Sequence, residues 1–249
     1  MKKLDHKADM RKFRLEVQKK IGEYQFRPKA YSSLQNFPLN NKQCLYVAHW
    51  NKEGIIFEKG LEALTGYTLE EFNTEDLVHH IHPEERELVN RLTQEVVKYV
   101  IDVDLGKGPA HLFLSFRFRK KDGTYIKILR QSSSFELDEK GRMVSNFSLL
   151  TDISFLDTGN RVEWDFKANG LDLEDFKNII YKVYQNYFTS REKEIINLID
   201  RGQTNLLISE NLFISKHTVA THRKNILKKA GVSNTVDLIE FCKKNGIID

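Results

Sequence analysis

Residues 214–225 read ISKHTVATHRKN, and no acidic residue occurs between Glu210 and Asp237. The same interval holds Lys216, Arg223, Lys224, Lys228 and Lys229. Cations on a helix with small hydrogen-bonding side chains between them can do two things at once. The charges neutralise phosphates, and the short polar groups reach base edges in a groove. A like-charge run on a helix is usually just a solvated face. Its setting argues for nucleic acid here, because the run falls on the second of two short helices joined by a tight turn.

The flanking sequence supplies the helices that must hold this run. Thr189 followed three residues later by Glu192 is a capping box, so a helix starts there. Ile195, Leu198 and Ile199 give it a buried stripe, and Gly202 ends it. A second helix is expected over about 204–212, with Ile208 and Leu212 inward. Phe213 and Ile214 form the turn, Ser215 caps the third helix and Gly231 closes it. On that third helix Val219, His222 and Ile226 share one face, so His222 reads as a packing residue. Lys216, Thr221 and Lys224 lie on other faces.

Thr189, Arg191, Glu192, Gly202, Thr204, Asn205, Ile214, Ser215, Thr218, Val219, His222, Asn225, Ile226, Gly231 and Val232 keep a fixed register. On these residues the segment 188–248 resembles the DNA-binding domain of LuxR-type transcription factors. The resemblance implies an all-α, four-helix domain that binds double-stranded DNA as a homodimer. The last helix, about 235–244, would lie at the dimer contact, and RNA polymerase is a further expected partner. By position, the resemblance puts Ala220, Thr221 and Lys224 at base edges. It puts Lys216, Thr218, Arg223, Asn225 and Lys228 near phosphates, and it adds Asn205 to the DNA-binding set. Two departures stand out. Ala220 replaces the family's usual lysine; it can touch a thymine methyl but cannot grip phosphate or guanine. Leu206 and Leu207 replace a Lys-Glu pair and leave apolar surface, either a contact site or two tolerated surface leucines.

At 249 residues the chain has room for two ordinary domains. Its net charge of +4 says little alone. Cys44 and Cys242 fall in different segments without metal-site spacing, which suggests free thiols in a reducing compartment. With no secretory h-region and no apolar run long enough to span a bilayer, a cytoplasmic protein without a membrane partner is expected. Four segments are expected. Residues 1–42 are an N-terminal helix and extension, with Phe13, Val17, Ile21 and Tyr24 at helical spacing; this helix should pack on the next domain or a dimer mate. Residues 43–156 form one mixed α/β domain, 157–187 a linker and connecting helix, and 188–249 the DNA-binding domain. In the connecting helix Leu173, Phe176, Ile179, Ile180, Val183 and Tyr184 form the stripe.

The segment 43–156 reads as α+β. Strands are expected at 45–50, 55–59, 111–120, 125–136 and 143–154, short helices over 61–72, and a helix over 84–100 opened by Pro83. That order gives a five-stranded antiparallel sheet with helices on one face. With Gly66-Tyr67-Thr68, Ile81-His82-Pro83-Glu84, Lys121-Asp122-Gly123 and a closing Asp152-Ile153-Ser154, the segment resembles a PAS sensor domain. The resemblance implies regulation by a ligand, cofactor or partner. No cofactor is evident, and the identity of any small PAS ligand stays open. Phe113, Phe116, Phe118, Phe135 and Phe147 would line a ligand cavity or simply form core. His79, His80 and His82 with Glu84 and Glu85 invite a metal reading, but a His-Pro-acidic run also starts a helix.

Other classes fit less well. A phosphoacceptor receiver needs alternating parallel strands and helices, not a terminal run of strands. An acyl-homoserine-lactone binding domain is the runner-up sensor, and a PAS interaction scaffold without a ligand is a further alternative. No nucleophile elbow, phosphate loop or metal box is present, so the protein is not expected to be an enzyme.

Overall fold

The computed structural model describes residues 6–21, 31–50, 54–72, 77–156, 161–184 and 186–248. In chain order they form α1 (His6–Ile21), α2 (Ser32–Gln35), β1 (Gln43–His49), β2 (Ile55–Lys59), α3 (Leu61–Thr65), α4 (Leu77–His80), α5 (Pro83–Asp102), β3 (His111–Arg119), β4 (Tyr125–Leu137), β5 (Met143–Asp152) and β6 (Trp164–Lys167). There follow α6 (Leu173–Tyr181), α7 (Ser190–Asp200), α8 (Asn205–Asn211), α9 (Lys216–Ala230) and α10 (Thr235–Lys244). Contacts divide the chain into two compact units, Met1–Leu173 and Glu174–Asp249.

In the first unit the strands form one antiparallel sheet in the order β2-β1-β5-β4-β3-β6. Period-two alternation gives the sheet its faces: Leu112, Leu114, Phe116 and Phe118 of β3 are buried, while Phe113 and Arg119 are exposed. The buried face is covered by α5, which packs on β3 and β5 and buries Leu88, Val89, Leu92, Val96, Val97 and Val100. Pro83 sits in the first turn of α5, and the His82 ring accepts from the Glu84 amide at 3.4 Å. The fully buried Glu85 carboxylate accepts from the Arg117 amide at 2.6 Å and from Arg117 Nε at 2.7 Å, fastening the start of α5 to β3. The acidic pair therefore starts a helix and binds an arginine. His80 packs among rings, 4.4 Å from Tyr67 and 5.5 Å from Phe118 between centroids.

The N-terminal helix packs on α5 of its own chain. Phe13, Val17 and Ile21 are buried; Tyr24 lies outside the described residues. Asp9 accepts from Gln94 at 2.9 Å, and Lys20 meets Asp102 at 2.9 Å. Three sequence expectations need amendment. The sheet has a sixth strand, β6, within the stretch read as a linker. Four residues offer too little alternation to be seen; what makes them a strand is the free edge of β3, with Phe166 opposite Leu112. Of the pair of short helices expected over 61–72 with a break at Gly66-Tyr67, the first is α3, capped by Gly66 at φ 80°, but in place of the second Thr68–Phe72 make a turn. The five phenylalanines do not share one face: Phe135 and Phe147 pack against Tyr31 and Phe37 in tilted and edge-on contacts on the outer side, and Phe113 is 36% exposed.

The second unit gathers Phe188, Ile195, Ile196, Ile199, Ile208, Val219, Ile226, Leu238 and Cys242 into one core. Its helices start where the sequence places caps. Thr189 and Glu192 make the reciprocal capping box, Thr204 caps α8, Ser215 caps α9 and Asn234 caps α10. Gly202 and Gly231 take left-handed conformations just past α7 and α9. The connecting helix, expected to run to residue 187, stops as α6 at Tyr181, followed by a 3-10 turn over Lys182–Tyr184. Phe176 and Ile180 of its stripe are buried, but Ile179 is exposed. No helix among the described residues is long and apolar enough to cross a membrane.

Candidate nucleic-acid interface

α8, the turn at 212–214 and α9 form a helix-turn-helix whose helices pack through Ile208, Val219 and Ile226. At about 100° per residue, these buried positions fix which side of α9 faces out. Ala220, Lys224, Thr221, Lys228 and Asn225 are all exposed and occupy the opposite half of the helix, with Lys224 near its middle, and Lys216 is exposed at the edge of this arc. His217, which sequence reasoning did not single out, is exposed beside Lys224 on that arc. His222 is half-buried on the side of Val219 and Ile226, as a packing residue should be.

The remaining assigned residues are held by the protein. Arg223 Nη1 donates to Asn205 Oδ1 at 2.9 Å, and its Nη2 donates to Thr235 Oγ1 at 3.2 Å. This half-buried guanidinium therefore ties α8, α9 and α10 together. The Thr218 hydroxyl lies 2.8 Å from that of Ser215, and the Thr221 hydroxyl donates to the His217 carbonyl at 3.0 Å. Lys216, Lys224 and Lys228 take part in no ion pair among the described residues, whereas Lys229 is bound to Glu192 at 2.8 Å. Burial alone would raise the Glu192 carboxyl, but the Lys229 ammonium and the Thr189 amide outweigh it and hold the carboxyl below its usual range. Three exposed ammonium groups on an acid-free arc, at a helix whose N-terminus adds partial positive charge, make a surface suited to anions.

Apolar groups flank this surface. Leu206 and Leu207 are 43% and 48% exposed. Phe213 is 95% exposed and holds φ 53°, the only non-glycine positive φ among the described residues. Nothing in the local residue types marks this conformation, because a bulky residue is disfavoured in the left-handed region.

Comparisons with known proteins agree with this geometry. Residues 186–242 match the family of bacterial regulatory proteins described as the luxR family, and residues 55–146 match the PAS fold. Both resemblances read from the sequence are thus borne out: a PAS-like antiparallel sheet with helices is followed by a luxR-family helix-turn-helix domain. The transcriptional regulatory protein MctR of Rhizobium johnstonii is 43% identical over 60 residues, 24% of this chain and 28% of that protein. The uncharacterized response regulatory protein YgeK of Escherichia coli is 44% identical over 62 residues, 25% of this chain and 42% of that protein. The chain thus spans less than half the length of these curated relatives. Among solved structures, the phage VqmA–DPO complex is similar over 88% of this chain and 89% of that chain, at 16% identity and a TM-score of 0.36.

Proposed function

We propose that this protein is a sequence-specific, non-enzymatic regulator of transcription, in which the PAS-like unit controls how the luxR-family domain binds double-stranded DNA. The observation that carries this reading is the exposed arc of α9, where Lys216, Lys224 and Lys228 form no ion pair among the described residues and no acidic residue lies among them. Lys216 and Lys228, with Thr218 and Asn225, contact phosphates; Ala220, Thr221 and Lys224 face base edges. Asn205 and Arg223 act by bracing α9 against its neighbours, which sets the angle at which it enters the groove. The functional form is a homodimer joined through α10, because paired half-sites about one DNA turn apart, ~34 Å, require two copies of α9. RNA polymerase is the expected downstream partner.

The test is selection of bound sequences from a random duplex pool by the full chain, followed by fluorescence anisotropy across a salt series. A paired motif and a steep fall of affinity with salt are expected. For four lysine–phosphate contacts, Lys216 and Lys228 from each of two protomers, the slope of log K against log salt is about −3.6. A flat salt response, or no enriched sequence, would refute the reading.

A further inference from the structure

The sheet face turned toward α5 is not uniformly apolar. Arg130, Ser132 and Ser134 follow one another at period two on β4, and Ser132 and Ser134 pair with Ser148 and Asn146 of β5. These residues line a cavity of about 100 Å³, whose remaining wall is largely apolar, including Val89, Val97, Met143 and Phe166. α1 closes one side with Met10 and Arg14. Two arginines thus line the cavity, and among the described residues that line it none is acidic.

Much of the polar wall is satisfied within itself. Ser132 and Ser148 hydroxyls lie 2.8 Å apart, Asn146 Nδ2 donates to Ser148 at 2.9 Å, and Trp50 Nε1 donates to Asn146 Oδ1 at 3.0 Å. Two groups are not. Arg130 is 4% exposed; its Nη2 donates to Thr93 Oγ1 at 3.0 Å, its Nε has no partner, and no carboxylate among the described residues pairs with it. The Phe116 ring, 5.9 Å away, compensates only weakly. Asn90, one turn before Thr93 on α5, is 5% exposed; its Nδ2 donates to Asp9 at 3.3 Å, which fixes the amide so that Oδ1, also without a partner, is an acceptor. A guanidinium cannot shed its proton at physiological pH, so burial without a counter-charge is costly. The combination specifies a complement: a monoanionic group for Arg130, a hydrogen-bond donor for Asn90 Oδ1, and a small apolar body for the rest.

We propose that the cavity between β4, β5 and α5 binds a small organic hydroxy acid, its carboxylate met by Arg130 and its hydroxyl by Asn90. An engineered apolar cavity of ~150 Å³ accepts benzene, so a cavity of about 100 Å³ suits a short-chain acid, not a long acyl chain. Because α1 and the sheet both line the cavity, occupancy alters their packing. This deepens the reading of the first unit as a sensor, and ligand binding is measured apart from DNA binding so that each can fail alone.

Isothermal titration of the full chain tests the proposal with lactate, 2-hydroxybutyrate and 2-hydroxyisovalerate as probes, and with lactamide, propionate and inorganic phosphate as controls. At least one hydroxy acid should bind saturably at one site per chain, with lactamide and propionate each weaker by roughly tenfold or more. Arg130→Met should remove that binding, and Arg130→Lys should weaken it by roughly tenfold, since a lysine keeps the charge but not the fork. Without ligand, Arg130→Met should melt higher by roughly 2–4 °C, because an uncompensated buried charge is gone. Three results would overturn the proposal: no binding by any of the three acids, phosphate binding as tight as theirs, or equal binding by Arg130→Met. A lower melting temperature for that variant would also overturn it, since Arg130 would then be a structural strut. Anisotropy with DNA in the same samples reports separately whether occupancy changes operator binding.

Discussion

Arg223 offers the sharpest test of how the interface is built. Family position would place it on a phosphate, yet its guanidinium donates to Asn205 of α8 at 2.9 Å and to Thr235 of α10 at 3.2 Å. Hydrogen bonds to charged groups contribute about 1.5–3 kcal/mol each when buried. Arg223 is only half-buried, so solvent screening reduces the pair to about 1–2 kcal/mol in total. Arg223→Ala should therefore lower the melting temperature of the helix-turn-helix by roughly 5–10 °C, as expected for a small domain. Faster hydrogen exchange across 205–230 in the full chain should accompany it. The slope of log K against log salt should not change, because no phosphate contact is lost. Lys216→Ala is the converse: stability should hold, while the slope should shrink by about one for each binding domain. If Arg223→Ala reduces the salt slope as Lys216→Ala does and leaves exchange unaltered, the bracing role is wrong.

Three further outcomes follow from the same geometry. Lys224→Ala, at the middle of the exposed arc, should relax sequence preference at one position of each half-site and leave the fold intact; full preference in competition binding would remove Lys224 from the base-contacting set. The Glu192 carboxyl is held below its usual range in the folded state, so its contribution is present above the ordinary glutamate pKa. It is lost as pH falls through the depressed folded value, and Glu192→Gln should flatten that part of the acid-unfolding curve. Burial, aided by Glu58 for Cys44 and by Asp200 for Cys242, raises both thiols to about 12. Neither should react with iodoacetamide at neutral pH until denaturant is added, and mass spectrometry of the labelled native protein reads this directly.

Local chemistry made much of this molecule legible in its sequence. The caps at Thr189, Thr204 and Ser215 and the glycines at 202 and 231 act over three or four residues, so they set the ends of α7, α8 and α9 wherever those helices sit. Helical periodicity likewise fixed Val219 and Ile226 inward and Lys224 outward, and alternation in 111–118 set one face of the sheet. What the sequence alone did not contain depended on partners distant in the chain. β6 is a strand because β3 has a free edge, and Arg223 is a brace because Asn205 and Thr235 lie within reach. Arg130 looked like any strand arginine. Only the register of β4 against β5, and the packing of α5 and α1 over them, buries its charge beside a cavity whose described lining holds no carboxylate. Periodicity reports which way a side chain points, and tertiary structure decides what it meets there.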